Sequence, residues 1–319
     1  VRAKMKVAIV GAGMVGTAAA HKIAEMGIGK VILIDIVEGL AKGKALDICH
    51  ALAALGIDCD VEGASDISAV EGSDVVVVAS GRRREPGMSR MDLLYVNGCI
   101  VEDVCKAVAV YSPNSILIIV TNPLDVMCYV AWRSSGFPKE RVIGQGGLLD
   151  STRFKWLISK ATSTPISHIE AMVIGEHGDE MLPLARLATV SGKPLTLLLD
   201  ETTIQEIAKK TREAGGELVR LLKTTSAALA PGVAVALMVK AIANDSNEII
   251  PASVLLNGEY GISGVFMSVP VRLCRKGVSE IVELELTEEE LSSLKRSAEA
   301  VMAGIKAWEE MKSSRLPRE

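Results

Sequence analysis

One of the four histidines in this 319-residue chain stands where its ring can do chemistry. His177 lies in Gly175-Glu176-His177-Gly178-Asp179, directly after the apolar run Met172-Val173-Ile174. A histidine between glycines at a strand exit can present its ring to a cleft, although the same setting also suits a structural residue. His21 and His50 fall in helix-compatible stretches and read as surface or packing residues, and His168 reads as a turn residue ahead of a strand. The segment Leu149-Asp150-Ser151-Thr152-Arg153 supplies partners. Asp150 and Arg153 are three apart at an expected helix start, so they share a face. A carboxylate there can accept from the ring N–H of His177, fix its tautomer and stabilise the imidazolium, which makes the ring a general acid and base. Arg153 can clamp a carboxylate through two parallel N–H bonds. The other reading of Asp150 and Arg153 is a helix-start ion pair, worth little at a surface.

Residues 81–90 (GRRREPGMSR) carry four more arginines, Arg82, Arg83, Arg84 and Arg90, with two glycines, a proline and a serine. The segment follows an apolar strand-like run, and open α/β sheets place ligands beyond the strand ends. It is either a solvated charged loop or a lid that closes on substrate and excludes water.

Gly11-Ala12-Gly13-Met14-Val15-Gly16 fits G-x-G-x-x-G. The pattern alone is weak. Here it follows a strand-like run, opens helix-compatible sequence, and is followed nineteen residues after Gly16 by Asp35 at the end of a second run. That context is the dinucleotide fingerprint. Gly11 permits the turn, Gly13 admits the pyrophosphate, Gly16 lets helix and strand touch, and the helix N-terminus faces the phosphate charge. Asp35 suits ribose hydroxyls and would repel a 2′-phosphate, which favours NAD over NADP. Hydride transfer to a ketone then needs a proton for the oxygen, a cation to polarise the carbonyl and a fork for a substrate carboxylate. His177 and the arginines are of the right types.

The elements that must position these residues alternate. Apolar runs at residues 6–10, 31–34, 74–79 and 116–120 are separated by helix-compatible stretches at about 11–26, 40–55 and 91–110. Runs so uniformly apolar are buried on both faces, as in a parallel sheet covered by helices, so the fold class is α/β with a doubly wound sheet of Rossmann type. The texture changes near Gln145. Beyond it come a helix at 149–161, a strand at 171–174, a hairpin around Ser191-Gly192-Lys193-Pro194, helices at 203–222 and 233–243, strands over 249–286 and a helix at 287–311. Thr287 and Glu290 form a T-x-x-E capping pattern ahead of that last helix. The division is a dinucleotide-binding domain over 1–145 and an α+β substrate domain over 146–319.

Composition narrows the class further. Net charge is −4 without a basic stripe, and aromatic residues make up 3%, so nucleic-acid and stacking surfaces are not expected. None of the six cysteines forms C-x-x-C, and the simplest account is reduced, buried thiols in a cytosolic protein. No metal cluster, leader segment or membrane span is expected, and cytoplasmic localisation follows by elimination.

Taken together, Gly11–Gly16, Asp35, residues 81–90, Thr121-Asn122-Pro123-Leu124-Asp125, Leu149–Arg153 and Gly175–Asp179 resemble the lactate/malate dehydrogenase family in order and spacing, over nearly the whole chain. The likeness is greatest to the lactate-dehydrogenase-like malate enzymes of bacteria and archaea, as in Ser135-Gly136-Phe137-Pro138-Lys139-Glu140-Arg141-Val142-Ile143-Gly144-Gln145. The resemblance implies NAD as cofactor, His177 as proton donor and acceptor, Asp150 as its orienting partner, and Arg153 on the C1 carboxylate. It implies Arg90 on the carbonyl and Asn122 in contact with substrate and cofactor near the nicotinamide, with Val120 and Thr121 lining the site. Asn97 becomes a further cofactor contact by resemblance only, since unaided it reads as a helix-surface amide. In that family the residue before E/K-P-G-M-S-R separates diacid from monoacid substrates, and the resemblance gives that part to Arg84 here. An unpaired carboxylate in a closing cleft is costly, and a guanidinium neutralises it. A dicarboxylate substrate, malate or oxaloacetate, is therefore expected, with lactate or dual activity as the alternative. An NAD-dependent glycoside hydrolase, which would use Cys and His metal ligands, is the alternative of another class. Glu85 in place of a common Lys, and the unusual Thr224-Thr225-Ser226-Ala227-Ala228-Leu229-Ala230-Pro231, leave the strictness of the pocket open. A homo-oligomer is expected, a tetramer by resemblance with a dimer as fallback.

Overall fold

Valine and isoleucine runs with no polar alternation must hide both faces, and the chain hides them in one twisted sheet. The computed structural model describes residues 5–82 and 89–315. Six parallel strands open the chain: β1 (Met5–Val10), β2 (Gly29–Ile34), β3 (Val61–Ala64), β4 (Val75–Val78), β5 (Ile116–Ile119) and β6 (Val142–Gly144). Their spatial order is 3-2-1-4-5-6. That order reverses between β1 and β4, which opens a crevice at the carboxyl ends of the strands. Crossover helices α1 (Met14–Glu25), α2 (Leu40–Ala54), α3 (Arg90–Tyr111) and α4 (Leu124–Ser135) cover both faces. Val7, Ile9, Val75, Val77, Leu117 and Ile118 have no exposed surface.

The chain then turns into α5 (Gly147–Thr162) and a set of two-residue strands, β7 (Ile169–Glu170), β8 (Val173–Ile174), β9 (Leu182–Pro183), β10 (Thr189–Val190) and β11 (Lys193–Pro194). The expected hairpin joins β10 to β11 through Ser191 and Gly192, both at positive φ, as a tight two-residue turn requires. Helices α6 (Glu201–Leu222) and α7 (Leu229–Asn244), strands β12 (Ile249–Asn257), β13 (Ser263–Cys274) and β14 (Gly277–Ile281), and helix α8 (Glu288–Arg315) complete the order. The capping pattern forms as expected: Glu290 N–H donates to Thr287 Oγ1 at 3.2 Å and Thr287 N–H to Glu290 Oε2 at 2.9 Å.

Strands β12, β13 and β14 continue the parallel sheet on the β6 side in antiparallel sense, through the pair Gly144 and Ser253. The main apolar core therefore runs from Val7 through Phe266 to Trp308, drawing on both halves of the sequence. A smaller core of Phe154, Ile158, Ile169, Val173, Ile204 and Ile207 lies between α5, α6 and the short strands. Helix α8 returns to the first half, where Trp308 covers Gly98 so closely that a Cβ there would sit 1.8 Å from the indole nitrogen. Burying that side chain contributes roughly 2–3 kcal/mol.

Strands β3 and β6 have no counterpart in the sequence reading. The edge strand β3 (VEGA) buries only Val61, and β6 is three residues long. Neither is long enough to show a pattern, and pairing with a pre-formed neighbour holds each.

Candidate active site

The cofactor side is built from backbone. Gly11 ends β1 at φ +110°, and a Cβ there would lie 2.6 Å from the Ser80 nitrogen. A Cβ on Gly16 would lie 1.9 Å from the Gly11 carbonyl oxygen, so only glycine lets α1 approach the strand. A Cβ on Gly13 would meet nothing within 4 Å, because that backbone borders open cleft. The first turn of α1 has no side-chain cap, which leaves N–H groups for an anion. Asp35 holds the turn from β2, its Oδ2 accepting from Ala12 N–H at 2.8 Å and its Oδ1 from Val37 N–H at 3.0 Å. Each oxygen keeps acceptor capacity towards the cleft. That cleft, of about 480 Å³, is lined by Gly11, Gly13, Asp35, Val37, Ser80 and Gly81 among others. Ala12 is buried, Met14 is exposed and Val15 is half-buried. An open glycine turn, an uncapped helix end and a carboxylate at the second strand fit a dinucleotide.

Beside the cleft, Val120 and Thr121 leave β5. Val120 N–H donates to Val78 O at 2.9 Å, and Thr121 Oγ1 donates to Ser80 O at 2.7 Å. Asn122 follows, exposed. Asn97 departs from its unaided reading as a surface amide. It is buried on α3, its Oδ1 accepts from Arg82 N–H at 2.7 Å, and its Nδ2 donates to Asn122 O at 2.7 Å and Arg82 O at 3.2 Å. It ties the root of the arginine-rich segment to the Asn122 turn. Its position on a 22-residue helix gave no sign of this, because the burying partners come from two other loops. Arg90 opens α3 just after the cap, where Ser89 and Asp92 form a reciprocal capping box. Arg90 is exposed and has no side-chain partner among the described residues. Arg84 and the rest of residues 83–88 lie outside the described residues.

The proton-transfer side is built from charged side chains. Helix α5 brings Asp150 and Arg153 to one face, and the exit of β8 brings His177 to meet them. His177 Nδ1 lies 2.7 Å from Asp150 Oδ2, and Arg153 Nη1 donates to Asp150 Oδ1 at 3.1 Å. Asp150 is almost fully buried at 2% side-chain exposure, whereas His177 and Arg153 each keep 15% and remain within reach of a ligand. Burial alone would lower the pKa of His177, but the charge and hydrogen bond of Asp150 outweigh it, and the net shift is upward. Histidines 50 and 168 are exposed and His21 is half-buried on α1, all away from this cluster.

Four residues to which sequence reasoning gave no role, Asp125, Ser253, Ser268 and Ser297, hold the main chain around His177 directly or through one another. Asp125 Oδ2 accepts from His177 N–H at 2.7 Å, and Ser253 Oγ donates to Asp125 Oδ1 at 2.6 Å. Gly175 and Ser268 exchange backbone hydrogen bonds at 2.8 and 2.9 Å, and Ser297 Oγ accepts from Glu176 N–H at 2.6 Å. Burial pushes the Asp125 carboxyl up to about 6, against the pull of its bonds from Ser253 and His177. The visible sign of Asp125 was an aspartate in an otherwise apolar helix start; the serines left none.

A doubly wound sheet with a dinucleotide cleft next to a buried imidazole–carboxylate pair defines a nicotinamide-dependent oxidoreductase. Residues 5–144 match the lactate/malate dehydrogenase NAD binding domain and residues 148–312 the lactate/malate dehydrogenase alpha/beta C-terminal domain. The chain belongs to the lactate/malate dehydrogenase family, and is an NAD-dependent dehydrogenase of 2-hydroxy acids. It is 48% identical to the malate dehydrogenase of Thermomicrobium roseum, over 97% of this chain and 99% of that one. The structure of the Picrophilus torridus malate dehydrogenase in its apo form superposes with a TM-score of 0.94 at 40% identity, covering 98% and 100% of the two chains. The Eimeria maxima lactate dehydrogenase with NADH and oxamate superposes with a TM-score of 0.95 at 35% identity, covering 100% and 98%.

Proposed function

We propose that the chain is an NAD-dependent malate dehydrogenase, and that the residues described above act on a four-carbon 2-keto diacid. The observation that carries the reading is the buried Asp150 carboxylate shared by His177 and Arg153. One oxygen of Asp150 fixes the proton on Nδ1, so that Nε2, which has no partner among the described residues, faces the substrate. Protonated His177 delivers that proton to the carbonyl oxygen of oxaloacetate, and the neutral ring takes it from malate. Arg153 grips the carboxylate next to the reacting carbon, Arg90 polarises the carbonyl and Asn122 positions substrate beside the nicotinamide. When bound, NAD supplies the hydride acceptor or donor. Residues Gly11 to Gly16, Asp35, Asn97, Val120 and Thr121 form its seat. Arg84 meets the distal carboxylate, for which pyruvate offers only a methyl.

The enzyme works in the cytoplasm as a homo-oligomer, a tetramer with a dimer as the smaller alternative. Exposed Leu46, Leu55, Leu221 and Leu229 on or beside α2, α6 and α7 support association. No described helix is long and apolar enough to cross a membrane.

The test is NADH absorbance loss with oxaloacetate and pyruvate side by side. Oxaloacetate is the preferred substrate, and Arg84→Gln weakens its kcat/KM by about 2–5 kcal/mol in transition-state binding. Preference for pyruvate would move the reading to a lactate dehydrogenase, which the same scaffold serves. An unchanged kcat/KM in Arg84→Gln would remove the diacid argument. Activity lost to a chelator would revive the glycosidase reading.

A further inference from the structure

Cys49 and Cys59 do not have the spacing of a sequence-level redox pair, yet the fold sets them side by side. Cys49 is on α2, and Cys59 is in the segment that leads from α2 into β3. The Cys59 thiol points at the Cys49 sulfur, 3.0 Å away. A disulfide needs roughly 2.05 Å, so about 1 Å of approach closes the gap. Both residues are half-buried. Among the described residues no three His, Cys, Asp or Glu side chains gather as metal ligands. No sulfur-to-sulfur hydrogen bond joins any of the other four cysteines among those residues.

We propose that Cys49 and Cys59 form a reversible oxidation site, closing to an intramolecular disulfide by exchange with a low-molecular-weight disulfide. The Cys49 thiolate attacks one sulfur of the small disulfide, forms a mixed disulfide and releases one small thiol. The Cys59 sulfur, giving its proton to solvent, then attacks the Cys49 sulfur and releases the second small thiol. Two protein thiols are oxidised and one small disulfide is reduced. The order follows from the pair itself. The Cys59 thiol donates to the Cys49 sulfur, and that hydrogen bond, with burial, pushes the Cys59 thiol up to about 11, so Cys59 keeps its proton while Cys49 makes the first attack.

The position of the pair decides what the bond would do. β3 runs parallel to β2, from Val61 beside Val31 to Ala64 beside Ile34. Asp35 follows Ile34, so the cofactor lies at the Ala64 end and the cysteines at the other. Closure staples the short loop between α2 and β3 and leaves the active site untouched. It is a stabilising lock and not an activity switch.

The experiment is incubation of the purified protein with oxidised glutathione, followed by thiol counting, intact mass and peptide mapping. Two of the six thiols are lost, the mass falls by two hydrogens without a glutathione adduct, and one peptide pair is linked through Cys49 and Cys59. Dithiothreitol reverses all three. Tm rises by roughly 5 °C while kcat stays within about two-fold. In Cys59→Ser a glutathione adduct persists on Cys49, and in Cys49→Ser the linked peptide is absent. Wild-type protein that keeps all its thiols, or holds stable adducts on either cysteine without linking them, overturns the proposal whatever the variants do.

Discussion

The two sides of the active site are made of different material. The glycine-turn side of the cofactor cleft is shaped by one continuous stretch, Gly11 to Asp35, in which backbone groups and missing side chains do most of the work. The pocket around His177 draws side chains from α4, α5, the β8 exit and β12, and it buries charge. A backbone site is insensitive to pH and to most substitutions away from its glycines. A site of buried, mutually held ionisable groups is sensitive to both, because each group left without its partner carries a desolvation cost of about 1–3 kcal/mol or more.

That contrast can be broken most directly at His177. His177→Asn should lower kcat by about 10³–10⁴-fold while NADH binding, followed by fluorescence titration, stays within about two-fold. Loss of both together would show that the two sides are not separate. Next in size, Asp150→Asn should lower kcat by about 10²–10³-fold and move the pH profile. On the proposed mechanism, reduction in the wild type needs protonated His177, whose pKa is raised above 6.5 by Asp150. The reductive rate therefore wanes as pH rises through that raised value, and the limb moves to lower pH in the variant. The same shift adds stability that is complete below about 6.5 and is lost as pH climbs through the folded-state pKa. A limb that stays put in Asp150→Asn assigns it to another group.

Asp35→Ser sharpens the comparison from the cofactor side. It should raise KM for NADH about ten-fold, or about 1.4 kcal/mol, leave kcat within about two-fold and improve use of NADPH. A large fall in kcat would contradict a purely binding role. The smallest effect is expected at Asp125. Its carboxyl, raised to about 6, accepts both donors when ionised, so activity should decline as pH falls through that value. Its burial also makes the ionised form a burden on the fold, so its own contribution to stability is fullest below about 3.8 and is lost as pH rises through 6. Asp125→Asn should lower kcat only a few-fold, about 1 kcal/mol, and flatten the acid limb; a limb persisting there would remove Asp125 from its cause.

The same contrast explains what could be read from the chain. The glycine turn, Asp35 and the apolar runs are local, because G-x-G-x-x-G and its distance to an acid are set by a single β–α–β unit. The proximity of Asp150 and His177 was inferred from residue types and family order, since nothing local links positions 27 apart. Asn97 was misplaced on a helix surface because its burial depends on Arg82 and Asn122. Ser253, Ser268 and Ser297 are common residues whose roles exist only after the sheet closes. β3 and β6 escaped notice because their stability comes from neighbouring strands.

The junction between β6 and β12 has a kinematic consequence. Ser253 pairs with Gly144 across the seam where parallel strands give way to antiparallel ones, and its hydroxyl holds the carboxylate that anchors the His177 main chain. A Cβ on Gly144 would lie 2.7 Å from that of Ser253, so the seam has no slack. Opening the molecule like a book at this spine would drag the imidazole off its target. On the proposed mechanism, motion that admits substrate would therefore be local to the rim, with the spine as the fixed datum from which the imidazole is aimed.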